Sequence, residues 1–192
     1  MAIETEIKLR VDDLEGLRRR LESLRGVLRA ARHFEDNYVF DFPDGSTRSR
    51  GCLVRIRNAG PKWLLTYKGP ALEAGPFKTR EELETELGDG RAALEFLCRI
   101  GMLLWFRYQK YREEYGVALD GPPEDEVTVA LDETPVGSFA ELEGSETGIR
   151  RVARALGYGD GDFIRDSYYM LYARACRERG ESVSHMVFET RG

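Results

Sequence analysis

The sequence predicts one α+β domain in which helices cover a mostly antiparallel β-sheet. Many segments alternate charged and apolar residues, as in IETEIKLRV (3–11), which is typical of strands with one polar and one apolar face. Other segments repeat apolar residues three and four positions apart, as helices do, without the strict alternation of βαβ units. No stretch rich in Pro, Gly or Ser divides the chain, so residues 1–180 are predicted to form one domain, followed by a loosely held polar tail, 181–192.

Four segments have the apolar spacing of helices. The predicted helices cover residues 13–31, 91–101, 145–157 and 165–180. In the first, leucines recur at positions 14, 17, 21, 24 and 28, and Asp12 or Asp13 is available as the N-cap. Ser145 is the predicted N-cap of the third helix, and a glycine ends the second.

The remaining periodic segments alternate as strands do. Strands are predicted at 3–11, 37–42, 52–59, 62–69, 77–87, 126–133 and 137–144, with a β-hairpin over 103–120. Asp44-Gly45 and Gly60-Pro61 mark turns between strands. Trp63 and Trp105 are expected to pack outside the sheet against helices, although a Trp at the mouth of a tunnel would be able to stack on a base.

Composition excludes several classes of function. The net charge of −5 does not favour binding to a nucleic-acid polymer. Three scattered cysteines form no disulfide framework, and no apolar run approaches the roughly 20 residues that span a bilayer. We therefore expect a cytoplasmic protein without a signal peptide or a membrane partner, and a homodimer. With only two histidines, any metal is expected to be held by carboxylates, which suits magnesium, manganese or calcium.

Charged residues two positions apart recur on nearly every predicted strand. The set comprises Glu4, Glu6, Lys8, Arg55, Arg57, Lys68, Lys78, Arg80, Glu82, Glu84, Lys110, Arg112, Asp132, Glu141 and Glu143. On any one strand such a face is ordinarily solvated, and an open sheet covered on its apolar side would leave all of them in water. In a closed barrel the same side chains would converge on a lumen. A lumen of both charges would need ligands, for which a polyphosphate and a hard divalent cation are suited.

The motifs along the chain resemble those of the CYTH superfamily, which includes class IV adenylyl cyclases and thiamine triphosphatases. Glu4-x-Glu6-x-Lys8 is similar to its ExExK signature. Further blocks follow in the family's order, namely DNYVFD (36–41), LVRIR (53–57), LTYKGP (65–70), Arg80-x-Glu82-x-Glu84, KYR (110–112) and LDETPVGSFAELE (131–143). The later SYYMLY is similar to a C-terminal S-Y element. DNYVFD has one residue more than the family's strand, and the family's late lysine has no clear counterpart.

The resemblance implies a closed eight-stranded antiparallel β-barrel, a triphosphate tunnel, with helices packed outside. The acidic residues Glu4, Glu6, Asp132, Glu141 and Glu143 would then bind Mg²⁺ or Mn²⁺. The basic residues Lys8, Arg55, Arg57, Lys68, Arg80, Lys110 and Arg112 would bind the triphosphate, and the strand pattern adds Lys78. Catalysis is assigned to Lys8, Glu6 and Arg57.

Three functions are compatible with these residues. The first is hydrolysis of an inorganic or organic triphosphate such as tripolyphosphate, ATP or thiamine triphosphate. The second is adenylyl cyclisation of ATP to cyclic AMP and pyrophosphate, which also needs a nucleoside pocket that holds the 3′-hydroxyl in line. The third is binding of polyphosphate or nucleotide without catalysis, which would not need so many acidic residues. We favour hydrolysis because it requires less of the site.

Overall fold

Eight β-strands close into a barrel in the computed structural model, which describes residues 2–72, 75–119, 122 and 125–189. They are β1 (Ala2–Val11), β2 (Val27–Asp41), β3 (Leu53–Ala59), β4 (Lys62–Lys68), β5 (Lys78–Leu87), β6 (Leu103–Val117), β7 (Val127–Thr134) and β8 (Gly137–Glu143). The order around the barrel is β1-β5-β4-β3-β2-β6-β7-β8, and each neighbouring pair is antiparallel. The predicted closed eight-stranded antiparallel barrel is confirmed.

Helices connect and cover the strands. They are α1 (Leu14–Ser23), α2 (Ser46–Ser49), α3 (Gly90–Arg99), α4 (Glu146–Ala155) and α5 (Tyr168–Arg179), with a short 3₁₀ turn at Asp160–Asp162. Asp13, Ser145 and Ser167 cap α1, α4 and α5, each accepting a hydrogen bond from a backbone N–H of the first turn. Within the described ranges no helix has the length and apolar character needed to cross a membrane.

The period of two in the strands separates an apolar exterior from an ionic interior. On β1, Ile7 and Leu9 point outward into a fully buried core formed with α1 and α4. Leu17 and Leu21 of α1 belong to this core, as does Ile149 of α4. Because the apolar side chains are used on the outside, Lys8 and its charged neighbours on β1 turn into the barrel.

Two other helices complete the enclosure. Helix α3 covers the outer face of β3 and β4, where Leu97 shares a core with Ile56 and Trp63. Helix α5 lies across one end of the barrel instead of along its wall, since Tyr168 and Tyr172 pack against inward-facing aromatic side chains. The interior is therefore partly closed at the α5 end.

The predicted helix over 13–31 is wrong beyond its first ten residues, and the strand predicted at 37–42 begins much earlier, at Val27. Arg25 has a positive φ of 59°, which ends the helix, and the Gly26 N–H donates to the Leu21 carbonyl. From Val27 the chain pairs with β6 along nearly its whole length. This long-range pairing outweighs the local spacing of Leu24 and Leu28.

The hairpin predicted over 103–120 is also wrong, because β6 continues unbroken as one strand from Leu103 to Val117. The chain does not turn at Gly116. Instead, the side chains of Arg29 and Glu126 meet above its backbone. A Cβ there would lie 2.5 Å from a Glu126 carboxylate oxygen and 2.7 Å from the Arg29 Nε. The glycine lets Arg29 and Glu126 pair directly over the backbone, at 2.7 Å.

The expectation of a loosely held tail is wrong for the residues around Met186. The Met186 side chain is fully buried, its N–H donates to the Arg107 carbonyl and its carbonyl accepts from the Gln109 N–H. The Phe188 N–H donates to the Gln109 side-chain oxygen. Residues 190–192 of the tail lie outside the described residues.

Candidate active site

A cavity of about 1000 Å³ runs through the barrel, from α5 at one end to Glu114 and Thr128 at the other. Every basic residue predicted for the site lines it. These are Lys8, Arg55, Arg57, Lys68, Lys78, Arg80, Lys110 and Arg112, contributed by β1, β3, β4, β5 and β6. Several cations that are widely separated in sequence thus face one enclosed volume, which is how a protein binds a polyanion.

The predicted acidic residues lie in the same barrel. Glu4, Glu6, Glu141 and Glu143 line the cavity, and Asp132 is fully buried in its wall. The inward orientation on which the sequence interpretation depends is therefore observed, including for Arg57 and Glu143.

Three glutamates on β1 and β8 form an acidic sector. Glu6 and Glu143 are paired directly across the two strands, and Glu4 is two residues away on the same face. Burial raises the pKa of Glu4 to about 7, and the Glu6 charge adds to the shift. Burial also raises the pKa of Glu143, with Glu82 and Glu6 contributing, although Lys68 opposes the shift. Glu4 and Glu143 therefore have less positive charge nearby than is needed to offset their burial.

Glu6 differs from its two neighbours because cations surround it. Its carboxylate lies 3.1 Å from the Lys78 Nζ, 3.6 Å from an Arg80 nitrogen and 3.7 Å from the Lys8 Nζ. Burial alone would raise the pKa of Glu6, but Lys8 and Lys78 outweigh it and hold this pKa well below its usual range. Glu6 is thus ionised at neutral pH.

Asp132 is a fully buried carboxylate on β7, the strand next to β8, and it accepts hydrogen bonds from three side chains. Its Oδ2 accepts from the Lys110 Nζ at 2.9 Å, and its two oxygens accept a bidentate pair from Arg112 at 2.7 and 2.6 Å. The Tyr168 hydroxyl donates to the same Oδ2 at 2.5 Å. Arg112 also pairs with Glu141, whose other oxygen lies 3.1 Å from the Lys8 Nζ.

Sequence reasoning missed the buried polar residues of β2. Glu35 lies 3.4 Å from Arg57 and 3.6 Å from Lys110, and the Asn37 Oδ1 accepts from the Arg57 Nε at 3.1 Å. Burial would raise the pKa of Glu35, but Lys110 and Arg57 hold it well below its usual range. The signal was the two-residue spacing of Glu35 and Asn37, which fell partly before the predicted start of the strand.

Other neighbours of the predicted cations were also missed. Arg55 donates to the Tyr108 hydroxyl and to the Thr66 hydroxyl, both at 3.1 Å. Lys68 contacts Glu82 at 2.7 Å in addition to Glu4 at 2.5 Å. Tyr108 precedes Lys110 and Arg112 at the same spacing of two, so the alternation of β6 contained this signal.

The aromatic residues of the predicted strands divide between the two faces. Tyr38 stacks on Trp63 outside the barrel, at 6.4 Å between ring centroids, and Trp63 packs under α3 as predicted. Trp105 lines the cavity and contacts Tyr169 of α5, so the expected position outside the barrel is wrong for this residue. Asp41 lies outside the cavity and organises the following loop, accepting from the backbone N–H groups of Phe42 and Thr47.

The acidic sector suits a divalent cation by its chemistry. Glu4, Glu6 and Glu143 supply hard oxygen donors, and the raised pKa values of Glu4 and Glu143 would be reversed by a nearby positive charge. In the part of the chain that the structure describes, no three acidic, histidine or cysteine side chains converge as metal ligands, because Glu4 and Glu6 are turned toward lysine and arginine. Asp132 fits less well, since its four hydrogen bonds occupy both oxygens.

Two proteins of archaea are similar over nearly all of this chain. A protein of Methanocaldococcus jannaschii, named as a candidate adenylate cyclase, is 27% identical over 180 residues, covering 88% of this chain and 98% of that protein. The solved structure of the PH1012 protein of Pyrococcus horikoshii superposes with a TM-score of 0.69 at 29% identity, covering 88% of this chain and 98% of that one.

A more distant solved structure shares the fold. It is a candidate adenylyl cyclase of Hippeastrum, described as having a dominant triphosphatase activity, with a TM-score of 0.65 at 18% identity over 94% of this chain and 97% of that one. The CYTH domain model matches residues 2–168, which include every strand of the barrel and every residue predicted for the site. This chain belongs to the CYTH domain family.

Proposed function

We propose that this protein is a divalent-metal-dependent phosphohydrolase whose substrate is a triphosphate held in the barrel. The observation that carries the proposal is the convergence of eight basic side chains on one cavity that also contains a separate acidic sector. A triphosphate has several oxygens that accept from Arg and Lys, and the four arginines among these residues offer the planar forks that match phosphate oxygens. A metal-free anion site would not need Glu4, Glu6 and Glu143 beside the cations.

The metal is assigned to Glu4, Glu6 and Glu143, as Mg²⁺ or Mn²⁺. When bound, such an ion supplies charge neutralisation for a phosphoryl group and makes a water molecule more acidic. Asp132 instead positions Lys110 and Arg112, and Glu141 positions Lys8 and Arg112. The division follows from position, because Glu6 and Glu143 are paired across β1 and β8 with Glu4 two residues away, whereas Glu141 lies between Lys8 and Arg112.

The basic residues would stabilise negative charge that moves between phosphoryl oxygens during hydrolysis. Burial would lower the pKa of Lys8, but Glu141 and Glu6 outweigh it and raise this pKa, so Lys8 stays charged and acts electrostatically. Arg57 is held by Asn37 and Glu35, which fixes the plane of its guanidinium toward the cavity. Preorganised charges of this kind need no rearrangement as the reaction proceeds.

The second candidate is cyclisation of ATP, favoured by the name of the relative from M. jannaschii. The same tunnel would hold the triphosphate, with the ribose 3′-oxygen attacking the α-phosphorus and pyrophosphate leaving. The fold alone does not decide between the two reactions, because a candidate cyclase of the same fold is described as mainly a triphosphatase.

Product analysis separates the candidates. We expect incubation with Mn²⁺ or Mg²⁺ to release orthophosphate from tripolyphosphate or ATP, and chelation of the metal to stop the release. Cyclic AMP with pyrophosphate as the main products of ATP would contradict hydrolysis and establish cyclisation. Tight binding of both compounds without turnover would contradict both and identify a binding protein.

Arg57→Ala tests the role of the preorganised arginine. We expect kcat/KM for the triphosphate to fall roughly 100-fold, as when one fixed donor to a developing charge is removed. Arg107→Ala is the matched control, because Arg107 pairs with Asp36 on the same sheet but outside the cavity. Phosphate-release kinetics would contradict the assignment if both variants lost activity equally.

A further inference from the structure

The cavity is not ionic along its whole length. Inward side chains on β6 run from Phe106 through Tyr108 to Lys110 and Arg112, and those on β3 run from Leu53 to Arg55 and Arg57. On β2 the same face has Val39 at the α5 end, followed by the polar residues Asn37 and Glu35. Three adjacent strands thus change together from ionic to apolar toward the end where α5 lies. An inorganic triphosphate would leave this apolar end unused.

A β-bulge places an indole ring at that end. In the pairing of β2 with β6, Val39 is opposite Phe106 and Phe40 is opposite Leu104, so Trp105 is an extra, unpaired residue. Bulges reorient side chains, and here Trp105 and the next residue, Phe106, both contact Tyr169 of α5 although strand neighbours normally face opposite ways. The centroids of the Trp105 and Tyr169 rings are 4.4 Å apart, and both rings line the cavity.

An arginine that is paired with a buried aspartate lies over this aromatic wall. The Arg48 guanidinium lies 4.4 Å from the Trp105 ring centroid, and 45% of its side chain is exposed. The neighbouring Asp41 carboxylate is buried and already accepts from Arg48, Phe42 and Thr47. Arg48 already takes the place over Trp105 that a cationic ring would need, whereas its N–H groups suit the acceptor atoms of an uncharged aromatic ring.

We propose that Trp105, Tyr169 and Arg48 form a binding site for the uncharged base of a nucleoside triphosphate. The inference rests on the proposed function, since it assumes that the phosphates lie on the basic residues of the tunnel. Leu53 and Arg55 share a face two residues apart, about 7 Å along the strand, so a ribose would link a base on the aromatic wall to phosphates at Arg55. The site selects nucleoside triphosphates over tripolyphosphate and over thiamine triphosphate, whose thiazolium ring is cationic.

Fluorescence tests binding at this site without any turnover. The chain has two tryptophans, and Trp63 lies outside the cavity, so Trp63→Phe leaves Trp105 as the single reporter. We expect ATP with the metal chelated to quench the emission of Trp63→Phe, and tripolyphosphate at equal occupancy to have little effect. Equal quenching by the two compounds, or none by ATP while calorimetry shows that it binds, would overturn the base site. Failure of ATP and tripolyphosphate alike to bind would instead remove the proposed function.

Substrate comparison tests selectivity. We expect Trp105→Leu to lower kcat/KM for ATP about 10-fold, in line with the loss of one base–aromatic stack, and to change that for tripolyphosphate less than two-fold. Trp105→Phe, which keeps a ring, should recover most of the loss. Equal losses for both substrates would overturn the proposal, as would thiamine triphosphate being used as well as ATP by the wild-type enzyme.

Discussion

Glu6→Gln is expected to lower turnover of any triphosphate by at least about 100-fold while leaving the barrel folded. Glu6 is the ionised member of the acidic sector, and Lys8 and Lys78 hold its pKa well below its usual range. Gln has the same shape and keeps one oxygen acceptor, but it has no charge to offer a divalent cation. The affected quantity is therefore kcat, and the packing around the side chain is conserved.

Three measurements distinguish this role from a structural one. Phosphate release gives kcat, thermal unfolding gives Tm, and calorimetry with tripolyphosphate in the presence of chelator gives the affinity without metal. We expect Tm to fall by less than about 5 °C, because Lys8 keeps Glu141 and Arg80 keeps Glu4 as a partner. A loss of one to two kcal/mol shifts a domain of this size by a few degrees. Affinity without metal should be unchanged or increased, because one negative charge near the phosphate cations has been removed.

Glu95→Gln is the matched control, since Glu95 is an exposed residue of α3 that pairs with Arg99 one turn away. It should behave as the wild type in all three measurements. A large fall in Tm for Glu6→Gln would show that Glu6 mainly supports the fold. Retained turnover would show that the metal, or the reaction, does not depend on it.

The interior of the barrel was predictable because it depends on a local property. In a strand the side chains of residues i and i+2 share a face, so Glu4, Glu6 and Lys8 had to point the same way, and the apolar Ile7 and Leu9 had to point the other way. The core under α1 and α4 then decided which face was inside. The order of the motifs along the chain indicated that the strands close.

Partners on neighbouring strands were not predictable, because they depend on strand order and register. Nothing local to Glu35 says that Arg57 and Lys110 will flank it, and the register of β2 against β3 and β6 decides both contacts. The bulge at Trp105 has the same origin, since one extra residue in a long pairing changes the face of a side chain. Alternation therefore gives the set of site residues, and only the register shows which of them are neighbours.

Asp132→Asn is expected to destabilise the protein strongly, by roughly 3–5 kcal/mol, as when one partner of a buried ion pair is removed. At a few degrees per kcal/mol, Tm should fall by about 10 °C. Asp132 accepts from Lys110, Arg112 and Tyr168 and is fully buried. Asn would remove the carboxylate that the two cations share, leaving Lys110 with Glu35 and Arg112 with Glu141, and would direct an N–H₂ group at other donors.

Tyr168→Phe is the control that keeps the ring and removes one donor to Asp132. Its Tm should fall by less than half as much, since Lys110 and Arg112 still neutralise the carboxylate. Equal falls in Tm for the two variants would show that Asp132 stabilises the protein by holding α5 through Tyr168, and not by its charge.

A triphosphate should partly restore the Asp132→Asn variant. With the carboxylate gone, Lys110 and Arg112 have less negative charge beside them in a cavity that other basic side chains line, and the phosphate oxygens would supply the missing part. Saturating tripolyphosphate is therefore expected to raise Tm more in Asp132→Asn than in the wild type. An equal rise in both would mean that these two cations do not contact the phosphates. The prediction follows from a competition within the barrel, because its buried carboxylates and its anionic substrate neutralise the same set of cations.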